Sequence, residues 1–295
     1  MRPAPLLAIA GLILASLFGC EGSSTTGRPP PPGSLRLVCA APSATEICCA
    51  LGLREQIVGR TRFCEYPPGI QALPAIGALD ETNVEALLGL KPDLVLVSGS
   101  SRAITDRLER LHLRSATLPD RSLADIFESI RRVGELTGRS TAASALCAGI
   151  DAELTRIAQR CARLPPARVL ILLGTLADPP APPFVVGPGS FHDDLLRRAG
   201  QLNAVGSDVP AYGPLSLEAI VRADPDVIVE LDADGRERPG GRADALRAWS
   251  KLGPLSAVRS GRIHVLVGRH HQIPGPRIVQ SFEELCRAIA GSDHD

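Results

Sequence analysis

The sequence predicts an α/β protein made of two lobes with mostly parallel sheets, joined by one long helix. One segment occurs twice, as residues 83–97 and as residues 216–230, and each copy has the pattern of a short amphipathic helix, a Pro-Asp turn and a buried strand. Strand-like apolar runs alternate with helical patterns along both halves of the chain, which is typical of parallel sheets. A long helical pattern separates the two halves.

The chain begins with the features of an export signal. An apolar run at residues 6–18 is shorter than a membrane-spanning helix needs, so we expect residues 1–19 to be a secretory signal peptide. It ends in Leu17-Phe18-Gly19-Cys20, which resembles the lipobox of bacterial lipoproteins and predicts acylation of Cys20; simple cleavage and a retained anchor are the alternatives. Residues 20–34, rich in Ser, Thr, Gly and then Pro, predict a tether. The protein is therefore expected outside the cytoplasm, in the periplasm or its equivalent, anchored to a membrane.

Residues 35–139 are expected to form the first lobe. Its predicted elements are, in chain order, a strand at 35–39, a helix at 44–51, a strand entering at 56–59, the Pro-rich loop 63–68, the helix carrying Glu85, a strand at 94–97, a helix near 104–111 and a strand ending at Leu118. Gly52 ends the first helix, and Pro92 prevents the helix of Glu85 from continuing into the strand.

Residues 140–164 are predicted to form the connecting helix. The helical pattern runs from Thr141 to about Arg163 and ends before Pro165-Pro166, and Ser140 is expected to be its N-cap. A helix of about 23 residues would be roughly 35 Å long, enough to join two lobes as a rigid strut.

Residues 165–295 are expected to form the second lobe. Its predicted elements are a strand at 169–173, a loop at 178–188, a helix at 191–198 stopped by Gly200, a short segment at 203–206, the helix carrying Glu218, a strand at 227–229, a helix near 245–249, a strand at 263–267 and a final helix at 277–290. The order repeats that of the first lobe.

Charge and cysteine content exclude several classes of function. The 32 basic and 32 acidic residues balance, which argues against nucleic acid or an anionic membrane surface as a partner. Seven of the eight cysteines follow Cys20, and because none forms a C-x-x-C pair, a zinc ribbon is not indicated. An odd count leaves at least one thiol free, and the disulfide pattern stays open. Ser190, His192 and Asp193 are too close in sequence to form a hydrolase triad.

Seven short motifs resemble one known family, the helical-backbone substrate-binding proteins of ABC importers, with the strongest similarity to its cobalamin-binding branch. They are CAAPSATEI at 39–47, ALGL at 50–53, VGR at 58–60, EYPP at 65–68, LKPDLV at 90–95, PPF at 182–184 and PGPR at 274–277. The resemblance implies two α/β lobes bridged by one long helix, a ligand cleft between the lobes, and a monomer that delivers its ligand to a permease working with an ATPase subunit. It also implies that one glutamate from each lobe meets permease arginines.

Glu85 and Glu218 occupy those two positions, each in the first turn of its helix. Glu85 lies three residues after Thr82, the spacing of a capping box, and Glu218 lies two after Ser216, so a capping role is the structural alternative. The two roles are compatible.

The candidate ligand-binding residues follow strands, at the sheet edge where ligands usually bind in α/β proteins. They are the aromatic residues Phe63, Tyr66, Phe184 and Tyr212, the pair His270 and His271, and the arginines Arg60 and Arg62, with Arg102 nearby. Local packing of the aromatic rings against prolines is the alternative, especially for Tyr66. The histidine pair is either solvated or in contact with a metal of the ligand. An arginine cluster would favour an anionic siderophore.

We therefore predict a receptor without catalysis or a cofactor of its own, whose ligand contains cobalt or iron. Cobalamin or another corrinoid is the first hypothesis, and a ferric siderophore and heme are the alternatives. An exported hydrolase or metal enzyme, and a structural surface lipoprotein with a degenerate cleft, are the rivals from other classes.

Overall fold

A computed structural model describes residues 33–78, 83–99, 102–177, 180–236 and 240–291, without the side chains of residues 102 and 103. The predicted signal peptide, Cys20 and nearly all of the tether lie outside these ranges. Within them, no helix combines the length and the apolar character needed to cross a membrane.

The first lobe is built on a four-stranded parallel sheet. Its strands are β1 (Leu37–Cys39), β2 (Ile57–Arg60), β3 (Leu94–Ser98) and β4 (Ser115–Leu118), and its helices are α1 (Pro42–Ala50), α2 (Val84–Gly89), α3 (Arg102–Arg110) and α4 (Leu123–Leu136). The strand order is β2-β1-β3-β4. Strands β1 and β3 are apolar at successive positions because both faces of the sheet are covered: Leu94 and Leu96 face one core cluster, and Val95 and Val97 face another.

The connecting helix is α5 (Ser140–Cys161), 22 residues long. Its buried side chains recur every three or four residues and form one apolar stripe: Ala143, Cys147, Ile150, Leu154, Ile157 and Cys161. The stripe belongs to a core cluster that includes side chains of both lobes, so α5 packs against the protein along its length. The predicted strut is therefore present, as a packed helix.

The predicted N-cap of this helix was wrong by one residue. Ser140 is the first helical residue, and Arg139 occupies the N-cap position without a side-chain capping hydrogen bond. The chain reverses direction between α4 and α5 through Gly138, whose φ is +69°, and the carbonyl of Arg139 already accepts a hydrogen bond from the Ala143 amide at 2.9 Å. Because the chain reverses so tightly, the helix begins at Ser140, and this serine is inside the first turn and not at the N-cap position.

The second lobe contains a six-stranded mixed sheet. Its strands are β5 (Arg168–Leu173), β6 (Phe184–Val186), β7 (Leu202–Asn203), β8 (Tyr212–Pro214), β9 (Val227–Asp232) and β10 (Ile263–Val267), and its helices are α6 (Phe191–Arg198), α7 (Leu217–Ala223), α8 (Gly241–Ser250), α9 (Ser256–Arg259) and α10 (Ile278–Ala290). The order is β10-β9-β5-β6-β8, and β7 pairs with the start of β5. Strands β7, β9 and β10 run parallel to their neighbours, whereas β6 is antiparallel to β5 and β8.

This antiparallel ribbon corrects one prediction. The segment 178–188 was expected to be a loop, but it contains β6, and Tyr212, also expected in a loop, begins β8. Strands of three residues flanked by prolines are too short to show a period in the sequence. The ribbon exists because Val185 pairs with Leu172 on one side and with Gly213 on the other.

The repeated sequence segment is a repeated structural unit. In both lobes a short helix leads through a Pro-Asp turn into a buried parallel strand, α2 into β3 and α7 into β9. The aspartates of the two turns make equivalent hydrogen bonds. Asp93 accepts one from the amide of Arg36 (2.7 Å), and Asp226 accepts one from the amide of Arg168 (2.8 Å). These aspartates join the turn to the first strand of each lobe.

Most of the described cysteines are buried free thiols, which agrees with the expectation that at least one thiol is free. One disulfide, Cys161–Cys286, joins the end of α5 to α10 and therefore ties the connecting helix to the second lobe. Cys39, Cys48, Cys64 and Cys147 are buried free thiols, and Cys49 is half-buried. Burial raises the pKa of Cys49 to about 12, so this thiol stays protonated and unreactive at neutral pH.

Candidate functional site

A cavity of about 400 Å³ lies between the two lobes. It is lined by residues that follow β3 and β4 in the first lobe and by residues of β5, β6, α6, β8 and the 269–274 segment in the second: Gly99, Asp120, Arg121, Leu173, Phe184, Phe191, His192, Tyr212, Gln272 and Pro274. The cavity therefore sits at the carboxyl ends of parallel strands, where ligands bind in open α/β sheets.

The second lobe contributes an aromatic wall to this cavity. Phe191 and His192 are the first two residues of α6, and their rings stack with centroids 3.9 Å apart. The ring of Tyr212 meets that of His192 edge-on at 6.1 Å. Phe184 begins the neighbouring strand β6 and remains 47% exposed, so it has a large apolar face free to meet a ligand.

The start of α6 fixes the direction of this wall. Ser190 is the N-cap, and its hydroxyl accepts a hydrogen bond from the Asp193 amide at 3.1 Å and donates one to the carbonyl of Gly187 at 2.8 Å. Both hydrogen bonds of the Ser190 hydroxyl are thus made to the backbone, and neither joins it to the side chain of His192 or Asp193. The sequence-based rejection of a hydrolase triad at this motif agrees with that arrangement.

The aromatic wall is electrically neutral at physiological pH. Burial lowers the pKa of His192 to about 4, so its imidazole is uncharged near pH 7. Its Nε2 donates a hydrogen bond to the carbonyl of His271 at 2.7 Å, and its buried Nδ1 finds no partner among the described residues. Burial likewise raises the pKa of Tyr212, which keeps the phenol protonated.

The first lobe contributes the charged groups of the cavity. Asp120 follows β4 and accepts a hydrogen bond from the Ser98 hydroxyl, and the exposed side chain of Arg121 is next to it. The two lobes are also joined here, because the carbonyl of Arg121 accepts from the Phe191 amide at 2.6 Å and Asp194 accepts from the Leu123 amide at 2.9 Å. The first lobe therefore adds one acid and one base to the cavity lining, beside the aromatic rings.

Two of the four predicted aromatic residues line the cavity, Phe184 and Tyr212. Phe63 and Tyr66 lie instead at another part of the boundary between the lobes, facing arginines of the second lobe. Arg269 lies 6.0 Å from the Phe63 ring centroid, and Arg277 lies 4.2 Å from that of Tyr66. Contacts of this kind between cations and aromatic rings hold the lobes together.

His270 and His271 do not reach the cavity, contrary to expectation. Both are buried in a short 3₁₀ turn covered by α10, where their imidazoles approach Glu284. The next residue, Gln272, takes a place in the cavity wall. The pair therefore lies behind the wall and not on its surface.

Neither of the predicted arginines whose side chains the structure describes, Arg60 and Arg62, lines the cavity. Arg60 is buried, and its guanidinium donates to the carbonyls of Ile70, Thr61 and Gln71 at 2.7 to 3.0 Å, so it supports the loop after β2. Arg62 is exposed beside the Phe63 ring, and the side chain of Arg102 lies outside the described residues. Arg121 is the arginine in the cavity lining.

Several cavity residues were not identified from the sequence as site residues: Asp120, Arg121, Phe191, His192 and Gln272. The sequence did contain a usable signal for some of them. Pro188-Gly189-Ser190 marks a strand-to-helix turn, and the two residues that open the next helix face the sheet edge where ligands bind. Asp120 likewise comes two residues after the end of a predicted strand.

Glu85 and Glu218 hold equivalent, exposed positions at the second residue of α2 and α7. Neither is the capping residue of its helix. The caps are Asn83, which accepts from the Ala86 amide at 3.0 Å, and Ser216, which accepts from the Ala219 amide at 3.2 Å. The predicted Thr82 cap was therefore wrong, because Asn83 occupies that position; Thr82 itself lies outside the described residues.

Known proteins are similar to this chain in sequence and in fold. The family model described as periplasmic binding protein matches residues 37–268. A cobalamin-binding protein of Halobacterium salinarum is 32% identical over 272 residues, which cover 86% of this chain and 69% of that protein. An ABC transporter substrate-binding lipoprotein of Bacillus subtilis, described as uncharacterized, is 28% identical over 260 residues, covering 86% and 79%.

A solved structure gives the same result for the fold. The apo form of a periplasmic heme-binding protein from Roseiflexus sp. RS-1 superposes with a TM-score of 0.74 at 27% identity, covering 88% of this chain and 99% of that one. The similarity therefore extends over both lobes and the connecting helix.

Proposed function

The chain belongs to the periplasmic binding protein family, and we propose that it is the substrate-binding subunit of an ABC importer for cobalamin or a related corrinoid. The family places the protein outside the cytoplasm, with a permease and an ATPase as its transport partners. The observation that supports the choice of ligand is the neutral aromatic wall of Phe184, Phe191, His192 and Tyr212, in a cavity that also contains one acid and one base.

This wall suits a large, flat metal complex with amide groups around its edge. Aromatic rings offer apolar area to the face of a macrocycle, and polar groups such as Asp120 and Gln272 can bind amides at its edge. A cavity of about 400 Å³ is at the lower end of the usual range for ligand sites. A corrinoid would fill it and project from the cleft. Its cobalt would then belong to the ligand and not to the protein.

Heme is the second candidate, because the Roseiflexus structure with this fold is a heme-binding protein. A ferric siderophore has less support, since an anionic chelate is best held by several cations and Arg121 is the arginine of the described cavity lining. The 32% identity to a protein named cobalamin-binding supports the corrinoid as the first candidate.

The test is a binding panel of cobalamin, cobinamide, heme and a ferric siderophore, read by native mass spectrometry and titration calorimetry. We expect one corrinoid per chain. Exclusive binding of heme would replace the ligand in this proposal, and failure to bind any member of the panel would refute the receptor function.

A double variant tests the aromatic wall directly. About half of the Phe184 side chain is exposed (47%), which is roughly 90 Å² of a typical aromatic surface and about 2 kcal/mol of binding if the ligand covers it. Phe184→Ala with Tyr212→Ala should therefore weaken binding at least tenfold. Leu202→Ala is the matched control, because Leu202 is 56% exposed on β7 and lies outside the cavity lining. Equal affinities of the double variant and the control would remove the wall from the site.

We further propose that Glu85 and Glu218 dock the protein onto its permease. Both carboxylates are exposed at equivalent helix starts, and Asn83 and Ser216 already cap those helices, so the glutamates are available to a partner. Two separated carboxylates form a two-point pattern that arginines of a permease dimer could match.

The docking test uses charge reversal at both positions. Glu85→Arg with Glu218→Arg should abolish co-purification with the permease and transport, while ligand affinity and melting temperature stay near those of the wild type. Glu109→Arg with Glu128→Arg changes the net charge equally at exposed positions of α3 and α4 and serves as the control. Undisturbed co-purification of the first variant would exclude the docking role.

Lipid anchoring of Cys20 completes the proposal and rests on the lipobox-like sequence alone. Cys20→Ala should leave the protein soluble or with its leader attached, whereas the wild type should fractionate with membranes. Intact mass distinguishes these forms, and an unlipidated wild-type protein would refute the anchor without affecting the binding function.

A further inference from the structure

Behind the cavity wall, His270, His271 and Glu284 form a compact cluster of metal-ligand side chains. One donor atom of each residue lies within 4.8 Å of the donor atoms of the other two. Among the described residues, no other group of three or more His, Cys, Asp or Glu side chains comes this close together. The His271 Nε2 is 2.9 Å and the His270 Nε2 3.3 Å from the same oxygen, Oε2 of Glu284.

These spacings match donor atoms that share a metal ion. Ligands at about 2.0 Å in a tetrahedral site are about 3.3 Å from one another. A hydrogen bond to Oε2 of Glu284 at 3.3 Å accounts for the Nε2 of His270 but not for that of His271, which is fully buried, 2.9 Å from the same oxygen, and without a partner in hydrogen-bond geometry among the described residues. The Nε2 of His271 thus lies close to the carboxylate oxygen without the orientation of a hydrogen bond.

The surrounding residues hold the three ligands in place. The Ser281 hydroxyl donates to the carbonyl of His270 at 2.9 Å, His192 Nε2 donates to the carbonyl of His271 at 2.7 Å, and Gln280 donates to Oε1 of Glu284 at 3.0 Å. The second carboxylate oxygen is therefore oriented by its own partner, as is typical around metal ligands.

Charge and access are also suitable for a cation. The nearby cation Arg277 is neutralised by its bidentate pair with Glu46. The Glu284 side chain is 27% exposed, which leaves a path to solvent and room for a water as fourth ligand.

We propose that His270, His271 and Glu284 bind one divalent transition-metal ion of the zinc type in the second lobe, separate from the transported ligand. Imidazole nitrogen and carboxylate oxygen are donors that Zn²⁺, Co²⁺ and Ni²⁺ accept. The ion would join the 269–272 turn to α10. Because Gln272 follows the two histidines and lines the cavity, the metal would also fix one part of the cavity wall.

The experiment measures metal binding to tag-free, metal-stripped protein in the absence of any corrinoid or heme. Native mass spectrometry with Zn²⁺ should show one ion per chain and thermal unfolding should shift upward. Co²⁺ should give the visible absorption of a four-coordinate nitrogen and oxygen site. Glu284→Gln and His271→Asn should each weaken binding about 100-fold or more while circular dichroism shows a folded protein.

Two controls separate this site from others. Glu283→Gln removes the adjacent carboxylate of α10, and His112→Asn removes an exposed histidine in a left-handed conformation that asparagine tolerates; both should bind metal as the wild type does. The proposal is refuted if stoichiometric binding is absent, if Glu284→Gln binds like the wild type, or if Co²⁺ shows the thiolate charge-transfer band of a cysteine site. The corrinoid panel has its own readout, so either proposal can fail alone.

Discussion

The ion pair between Glu46 and Arg277 is expected to be the strongest single contact between the lobes. Glu46 lies on α1 of the first lobe and is 4% exposed, and Arg277 precedes α10 of the second. Their contact is bidentate, with Nη2 to Oε1 at 2.6 Å and Nε to Oε2 at 3.0 Å. We predict that Arg277→Ala removes this contact between the lobes and lowers the free energy of unfolding.

The expected loss follows from the burial of both partners. Removing one member of a buried pair costs about 3–5 kcal/mol, and Arg277, whose side chain is 21% exposed, belongs at the lower end of that range. Loss of the contact with the Tyr66 ring adds about 0.5–1 kcal/mol. We therefore expect the free energy of unfolding to fall by about 3–4 kcal/mol near pH 7.

The pH dependence gives this prediction a definite sign. Burial already raises the pKa of Glu46 although Arg277 opposes it, so the carboxyl contributes stability at low pH that is lost as the pH rises through its folded-state pKa. Without Arg277 this pKa should rise further. The deficit of the Arg277→Ala variant should consequently shrink on acidification, because a protonated Glu46 leaves no unpaired charge.

Urea unfolding at neutral and acidic pH is the assay. Arg160→Ala is the control, because Arg160 also forms an ion pair between two helices, with Glu283, but its side chain is 51% exposed. Its removal should lower the free energy of unfolding by less than about 1 kcal/mol. A cycle with Glu46→Gln isolates the coupling between the two side chains. If Arg277→Ala is no more destabilising than Arg160→Ala, or if its deficit grows at low pH, the argument from burial is wrong.

Three further predictions concern stability. The pKa of His192 is lowered from 6.5 to about 4, so the stability that its neutral form contributes is present above pH 6.5 and is lost as the pH falls through about 4. In urea unfolding, His192→Gln should therefore reduce the loss of stability between these two pH values by up to about 3 kcal/mol. The Cys161–Cys286 disulfide spans 125 residues, so replacing both by alanine should cost up to about 5 kcal/mol, and reduced wild type should match that variant in the same assay. Ser216→Ala should cost about 1 kcal/mol in thermal melts, clearly more than Glu218→Gln; equal losses would make Glu218 a cap.

Local patterns gave the helices and strands with little error where the signal is contained in a few neighbouring residues. Helix α6 and strand β10 have the predicted bounds, and the duplicated unit of helix, Pro-Asp turn and strand is present in both lobes. Apolar periodicity and proline act within one element, so they can be recognised without knowing the rest of the fold. The antiparallel strands β6 and β8 were missed because three residues carry no period.

The site itself was predicted only in part. Phe184 and Tyr212 were expected at the cleft because they lie near strand ends, and the structure puts them in the cavity wall. Arg60 was expected there for the same reason, but its guanidinium turns inward to three carbonyls of the following loop. A sequence shows at which position of a strand a residue lies. The orientation of its side chain also depends on which backbone carbonyls of the neighbouring loop still need a hydrogen-bond donor.

The sequence by itself determined the α/β class, the internal repeat, the long connecting helix and the family resemblance, since each is written in local periodicity or in short ordered motifs. Only the tertiary structure decided which groups meet. The partner of Cys161 is 125 residues away, the partner of Glu46 is 231 residues away, and the covering of His270 and His271 by Glu284 depends on how α10 packs. Such pairings depend on the packing of elements far apart in the chain, and no local preference of the residues involved specifies them.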